Sequence, residues 1–338
     1  MTAQATRKSN SRPAGLILDH FVVRFLNRLD RRSECSPHEL EPTEAREAFE
    51  RLQSAVVAKP EVNIQDLTFK AGPTGEVSIR IVRPARDNEA LPIIFYLHGG
   101  AWVAGNTLVY DRPLRELACS AHAAVVFLRY TLAPEARHPV QIEEAYAAML
   151  EVLRNAASLN LDGRRIAVMG DCSGGNMAAG LALLAKRRRG PEIRLQILLY
   201  PILANPLSFS ERTTVGETRW LSEAALKTRL RLAFPDRLLL EDTIAFPSNC
   251  TIVQLNDLPE TLVIVAEHDL VRDGAEQFAR NLAKAGVRVT CTRYNGATHD
   301  FMLLDALAGA PFAQAAWRHV FCALRSALHE GGPSAVSR

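Results

Sequence analysis

The chain has 338 residues, 48% hydrophobic and 23% charged, a balance that suits one large globular domain, or one domain with an inserted cap, and allows a sizeable core. A net charge of +3 is too small an imbalance to argue for nucleic acid or an acidic membrane surface. Six cysteines without C-x-x-C spacing suggest neither a zinc motif nor a disulfide framework, and they fit a reducing compartment.

Met1 to Pro13 are polar and basic, with no apolar core of signal-peptide length, and no later run is long enough for a membrane span; the expectation is a cytoplasmic protein. Residues 1–12 read as a tail. Apolar residues at helical spacing predict a helix over Leu16 to Leu29, and a second over Thr43 to Ala58 with Thr43 as N-cap. Val62 to Phe69 and Glu76 to Val82 flank Gly72-Pro73-Thr74-Gly75 and read as a hairpin. Then strand and helix alternate, with strands at Ile93 to Leu97, Ala124 to Tyr130, Ile166 to Met169, Leu195 to Leu199, Leu262 to Ala266 and Val287 to Tyr294. This is an α/β fold, a mostly parallel eight-stranded sheet flanked by helices. The stretch from Ala204 to Pro259 lacks a strong strand but contains a helical pattern over Ser222 to Phe234, so it reads as an insertion. The run Lys186 to Arg189 at the end of a helix complements the helix dipole and reads as a solvated face. The expected organisation is 13–60 N-terminal cap helices, 61–203 and 260–330 the core, and 204–259 the cap insertion.

The chemistry gathers at strand ends. Gly170-Asp171-Cys172-Ser173-Gly174-Gly175 joins a strand directly to a helix, with glycine two residues either side of Cys172. A strained turn that lifts a nucleophile off the sheet needs glycine at both places, because a side chain would collide across it. Cys172 is therefore the candidate nucleophile, and Ser173 is not. His98-Gly99-Gly100-Ala101-Trp102 follows another strand; small residues there let the N–H groups of Gly99, Gly100 and Ala101, together with that of Ser173, approach the oxygen of a tetrahedral intermediate. Asp269 and His299 each follow a later strand and supply an acid and a base; Asp273 reads as the cap of the helix after Asp269. His98, bracing the loop through its backbone, and Asp171 stand behind these residues as supports. His20, His38, His122, His138, His319 and His329 have no strand-end context and take a surface or hydrogen-bonding reading.

With these motifs placed, the chain resembles the bacterial hormone-sensitive lipase family of α/β-hydrolases. His98 to Trp102, Gly170 to Gly175, Tyr130-Thr131-Leu132-Ala133-Pro134-Glu135 and Tyr200-Pro201 carry the resemblance over nearly the whole chain. It implies the α/β-hydrolase fold with a helical cap, and hydrolysis of small acyl esters, of short to medium chain length, without metal or cofactor. It also implies a possible homodimer. Three positions depart from the family: Ala101 replaces a third glycine, which a negative φ would tolerate; Leu270 stands for a proline; and Cys172 stands for the serine nucleophile. Trp102, Phe209 and Trp220 are candidates for substrate contact, against the alternative that cap aromatics pack on one another. Three readings stay open: a Cys-His-Asp hydrolase of esters, thioesters or lactones; a fold kept for ligand binding; and an esterase whose serine was replaced.

Overall fold

The computed structural model describes residues 17–54, 57–86, 89–205, 218–236, 239 and 241–330. Strand β1 (Val62–Phe69) pairs antiparallel with β2 (Val77–Pro84), and β2 antiparallel with β4 (Ala124–Arg129). The remaining strands, β3 (Leu91–Leu97), β5 (Leu161–Asp171), β6 (Leu195–Leu199), β7 (Glu260–His268) and β8 (Val289–Thr298), complete an eight-stranded sheet in the order β1-β2-β4-β3-β5-β6-β7-β8, parallel from β4 onward. β3 and β6 are buried at every position, because helices cover both faces of the sheet. Helix α3 (Asp111–Ala121) packs with α9 (Pro311–Leu328), and α4 (Val140–Arg154) with α5 (Ser173–Arg187); α8 (Arg272–Lys284) covers β7 and β8.

Several boundaries differ from the sequence reading. Helix α1 spans His20–Arg31, because the Asp19 carboxylate accepts from Phe21 N at 2.8 Å and sets the start; Leu16 lies outside the described residues. Helix α2 spans Pro42–Leu52, not Thr43 to Ala58. Its N-cap is Glu41, without a side-chain cap, because Pro42 at the first turn needs no N–H partner and brings its own φ. β5 is longer than Ile166 to Met169, since its first residues extend along β3 beyond an irregularity in register. Helix α6 (Glu223–Ala233) starts as its sequence suggests, with the Ser222 hydroxyl accepting from Ala225 N. The short helix α7 is Ile252–Leu255. Among the described residues, no helix is long and apolar enough to cross a membrane.

The N-terminal helices are tied down over the carboxyl ends of the strands. Arg46 on α2 forms a two-pronged ion pair with Glu135 and donates to the carbonyls of Val103 and Ala133. Phe25 of α1 meets the Trp220 ring edge-on at 5.2 Å, and Phe49 of α2 lies 6.3 Å from it. Both contacts bury aromatic area that would otherwise face water.

Candidate active site

The turn from β5 into α5 is as sharp as its glycines require. Cys172 adopts φ 53° and ψ −119°, a strained conformation for a residue with a side chain. A Cβ on Gly170 would stand 2.2 Å from the Gly174 carbonyl oxygen, and one on Gly174 would stand 2.0 Å from that of Leu97. No side chain fits either place, so the backbone itself holds Cys172 at the start of a 15-residue helix, where the N-terminal N–H groups converge.

The loop after β3 is held instead by side chains. The Tyr130 hydroxyl donates to the His98 carbonyl at 2.9 Å, and the two rings stack at 4.2 Å. His98 Nδ1 lies 2.8 Å from the Gly99 carbonyl oxygen, the backbone brace its sequence position suggests. Burial holds the His98 imidazole down to about 4, so it stays neutral at physiological pH. Asp171 accepts from the Tyr96 hydroxyl, the Tyr110 hydroxyl and Gly99 N, tying this loop to the elbow. Two expectations need correction here. Gly99 N donates to Tyr110 Oη and Asp171, so it is not available to a substrate oxygen. Ala101 has φ +52°, not the negative φ that would make its methyl group free of strain, because Gly100 to Ala104 form a tight turn in which Ala104 N bonds the Gly100 carbonyl. The N–H groups of Gly100, Ala101 and Ser173 meet no acceptor among the described residues.

The ends of β7 and β8 bring Asp269 and His299 together. His299 Nδ1 stands 2.7 Å from Asp269 Oδ2, while Asp269 Oδ1 accepts from Val271 N. Asp273 is not the cap of α8: Val271 holds that place without a side-chain cap, and Asp273 lies inside the first turn and pairs with Arg272. Among the described residues, His299 Nε2 is buried and has no hydrogen-bond partner. Cys172 Sγ lies within 4.8 Å of a ring nitrogen of His299. Burial alone would lower the imidazole, but the carboxylates of Asp269 and Asp300 and the charge of Cys172 outweigh it and hold it well above its ordinary range. Burial also raises the Cys172 thiol, and His299 pulls it back only in part.

Sequence reasoning missed two residues. Asp300 Oδ1 faces His299 Nε2 at 3.6 Å, and its Oδ2 is held by His38 Nε2 at 2.8 Å and by Trp220 Nε1 at 2.9 Å. The place of Asp300 directly after His299 was a usable signal. His38, 262 residues away and given a surface reading, carried none: it is buried, and only packing brings it to the site. His268 turns away toward the Ile17 carbonyl, as its neighbour's role requires. Trp220 packs on Phe25 and braces Asp300, and Trp102 packs edge-on against Phe234 at 4.9 Å; Phe209 lies outside the described residues.

Known proteins share this arrangement of elements. A sequence family described as alpha/beta hydrolase fold matches residues 94–303. An α/β hydrolase of Acanthamoeba polyphaga mimivirus is 34% identical over 87% of this chain and 84% of its own length. Carboxylesterase NlhH of Mycobacterium tuberculosis is 33% identical over 84% of this chain and 89% of its own. The crystal structure of a thermostable esterase from Pseudomonas putida superposes with a TM-score of 0.89 at 32% identity, covering 95% of this chain and all of that one. On sheet order and similarity alike, the chain belongs to the α/β-hydrolase family, and its relatives include carboxylesterases.

Proposed function

We propose that this protein hydrolyses small carboxylic esters through a covalent acyl intermediate on Cys172. The observation that carries the reading is one of position: a strained elbow holds Cys172 beside an imidazole whose far nitrogen is fixed by Asp269, with three unpaired N–H groups close by. In the cycle, the thiol gives its proton to His299 Nε2 and the sulfur attacks the ester carbonyl carbon. The oxyanion is received by Gly100, Ala101 and Ser173, whose N–H groups have no acceptor among the described residues. His299 passes its proton to the departing alcohol, leaving a thioester. It then takes a proton from water, whose oxygen attacks the thioester, and returns the proton to sulfur as the acid leaves. Asp269 keeps Nδ1 protonated and its ring in register throughout. α1, α2 and the segment after β6 act as the cap, and short to medium acyl chains are the substrates, a reading supported by the relatives named esterase and, in Pseudomonas putida, ethyl acetate hydrolase.

A second reading, an esterase scaffold silenced at its nucleophile and retained for binding, is favoured by two observations. The sulfur makes no hydrogen bond with His299 Nε2, and burial raises the thiol. Intact-mass measurement of wild type and Cys172→Ser mixed with p-nitrophenyl acetate, alongside nitrophenol release, separates them. An acyl adduct on wild type with steady turnover is expected. Release only from Cys172→Ser would leave the silenced scaffold standing.

A further inference from the structure

Cys172, His299 and Asp300 have a property that ester hydrolysis does not use. Among the described residues, they form one group of three ligand-bearing side chains whose donor atoms all lie within 4.8 Å of one another, and all three are buried. Thiolate, imidazole and carboxylate are the ligand types of Zn2+, at about 2.3, 2.0–2.1 and 2.0–2.2 Å. A tetrahedral ion at those lengths spaces its ligand atoms by about 3.4–3.6 Å. His299 Nε2 and Asp300 Oδ1 already stand 3.6 Å apart, and Nε2 has no hydrogen-bond partner among the described residues.

The surroundings hold each donor as a metal site does. The Asp269 carboxylate on Nδ1 fixes the ring so that the Nε2 lone pair faces the other two donors, the outer arrangement common to zinc-binding histidines. Asp300 is fixed in turn through its other oxygen by His38 and Trp220, which leaves Oδ1 turned to the imidazole. With sulfur ionised, Asp269, Asp300 and Cys172 bring three negative charges to one buried place, which a divalent cation offsets. A sulfur-and-imidazole set selects Zn2+ over Mg2+ or Ca2+, whose ligands are oxygens.

We propose that Cys172, His299 and Asp300 form an inhibitory binding site for a thiophilic divalent cation, Zn2+ foremost, that competes with ester hydrolysis for the sulfur and Nε2. Binding replaces the S–H bond of Cys172 by a Zn–S bond and any N–H bond at His299 Nε2 by a Zn–N bond, and the displaced protons go to solvent; no electron is transferred. The cysteine that departs from the serine pattern creates the site, since a serine hydroxyl is a poor zinc ligand at neutral pH. The inhibitory consequence rests on the ester-hydrolase reading; the binding itself does not.

The test is titration of the chelator-treated, full-length chain with Co2+ and then Zn2+, following sulfur-to-cobalt charge-transfer absorption, with p-nitrophenyl acetate turnover measured in parallel. One Co2+ per chain, displaced by Zn2+, is expected, with turnover lost on Zn2+ addition and regained with chelator. Cys172→Ser, close to isosteric, should lose the charge-transfer band while keeping its melting transition. Trp220→Phe, which removes the outer hydrogen bond to Asp300 together with part of the buried ring packed on Phe25 and Phe49, should weaken Zn2+ binding about 10- to 100-fold. A band that persists in Cys172→Ser would assign the ion to another cysteine, such as exposed Cys35, Cys291 or Cys322, and overturn the proposal. So would the absence of any stoichiometric cobalt band. Because absorption needs no turnover, cobalt binding without nitrophenol release would sink only the ester reading, and turnover without cobalt binding would sink only the metal site.

Discussion

Two loops at neighbouring strand ends place non-glycine residues at positive φ, and they are held there by different means. At the elbow, Cys172 is at +53° because the backbone of Gly170, Gly174 and Leu97 leaves no other path. After β3, Ala101 at +52° and Trp102 at +63° lie in a turn closed by Ala104 N on the Gly100 carbonyl, and that turn is anchored by side chains from elsewhere: Ser173 on Trp102 N, Tyr130, Tyr110, Asp171 and, through Val103 and Ala133, Arg46. Strain locked by backbone contact is local and tolerates no substitution. Strain locked by hydrogen bonds is distributed and should be lost in steps.

The sharpest way to break this comparison is Gly174→Ala. Its Cβ would meet a backbone oxygen at 2.0 Å, and nothing flexible can give way. We expect a loss of more than about 4 kcal/mol in unfolding free energy, or no folded protein, together with loss of turnover. A folded and active Gly174→Ala would show that the elbow is not sterically locked.

Asp171 is the link between the two loops, and its predicted effect is a pH dependence. Burial, then the charge of Asp300, pushes its carboxyl up to about 7, against donations from Tyr110, Tyr96 and Gly99 N. Between its ordinary range near 4 and about 7, the folded chain holds a proton that the unfolded chain has lost. Stability is therefore greatest at the acid end of that window and falls as pH rises through it, by up to roughly 4 kcal/mol. Urea unfolding at about pH 5 and about pH 8 should show the fall in wild type and a flatter response in Asp171→Asn. Equal slopes in the two proteins would refute the assignment.

Tyr130→Phe probes the distributed loop by one bond. It leaves the buried His98 carbonyl without its partner, at a cost of about 1–3 kcal/mol, and should reduce turnover more than substrate affinity by loosening Gly100 and Ala101. A rise in KM with kcat unchanged would place Tyr130 outside oxyanion positioning. The smallest change is Ala101→Gly. Relief of the left-handed alanine should offset the added freedom of the unfolded chain, for a net gain of about 0.5–1 kcal/mol in thermal or urea unfolding. A lower melting temperature would mean that packing of the buried methyl group outweighs the backbone strain.

The same division explains what could be read in advance. The elbow was legible because its requirement for glycine operates between residues four apart. The strands β3, β4, β6 and β7 were legible because burial on both faces leaves uninterrupted apolar runs. The starts of α2 and α8 differ from the sequence reading for one reason: neither helix uses a side-chain cap, α2 beginning at Pro42 after Glu41 and α8 at Arg272 after Val271, so a search for capping side chains points to Thr43 and Asp273 instead. The tyrosine of Tyr130 to Glu135 was noticed as a motif, but its bond to His98 depends on how β3 and β4 align.

Local steric rules and hydrophobic periodicity thus settled, from sequence, which strand ends carry sulfur, carboxylate, imidazole and glycine, because those constraints act within a few residues. Tertiary structure alone decided that Gly99 N is occupied, that Ala101 is left-handed, and that Asp300 stands at Nε2 braced by His38 and Trp220. Hydrogen-bond partners across such separations have no signature in the chain; they are chosen when the sheet closes and buried polar atoms must find whichever donors and acceptors packing leaves beside them.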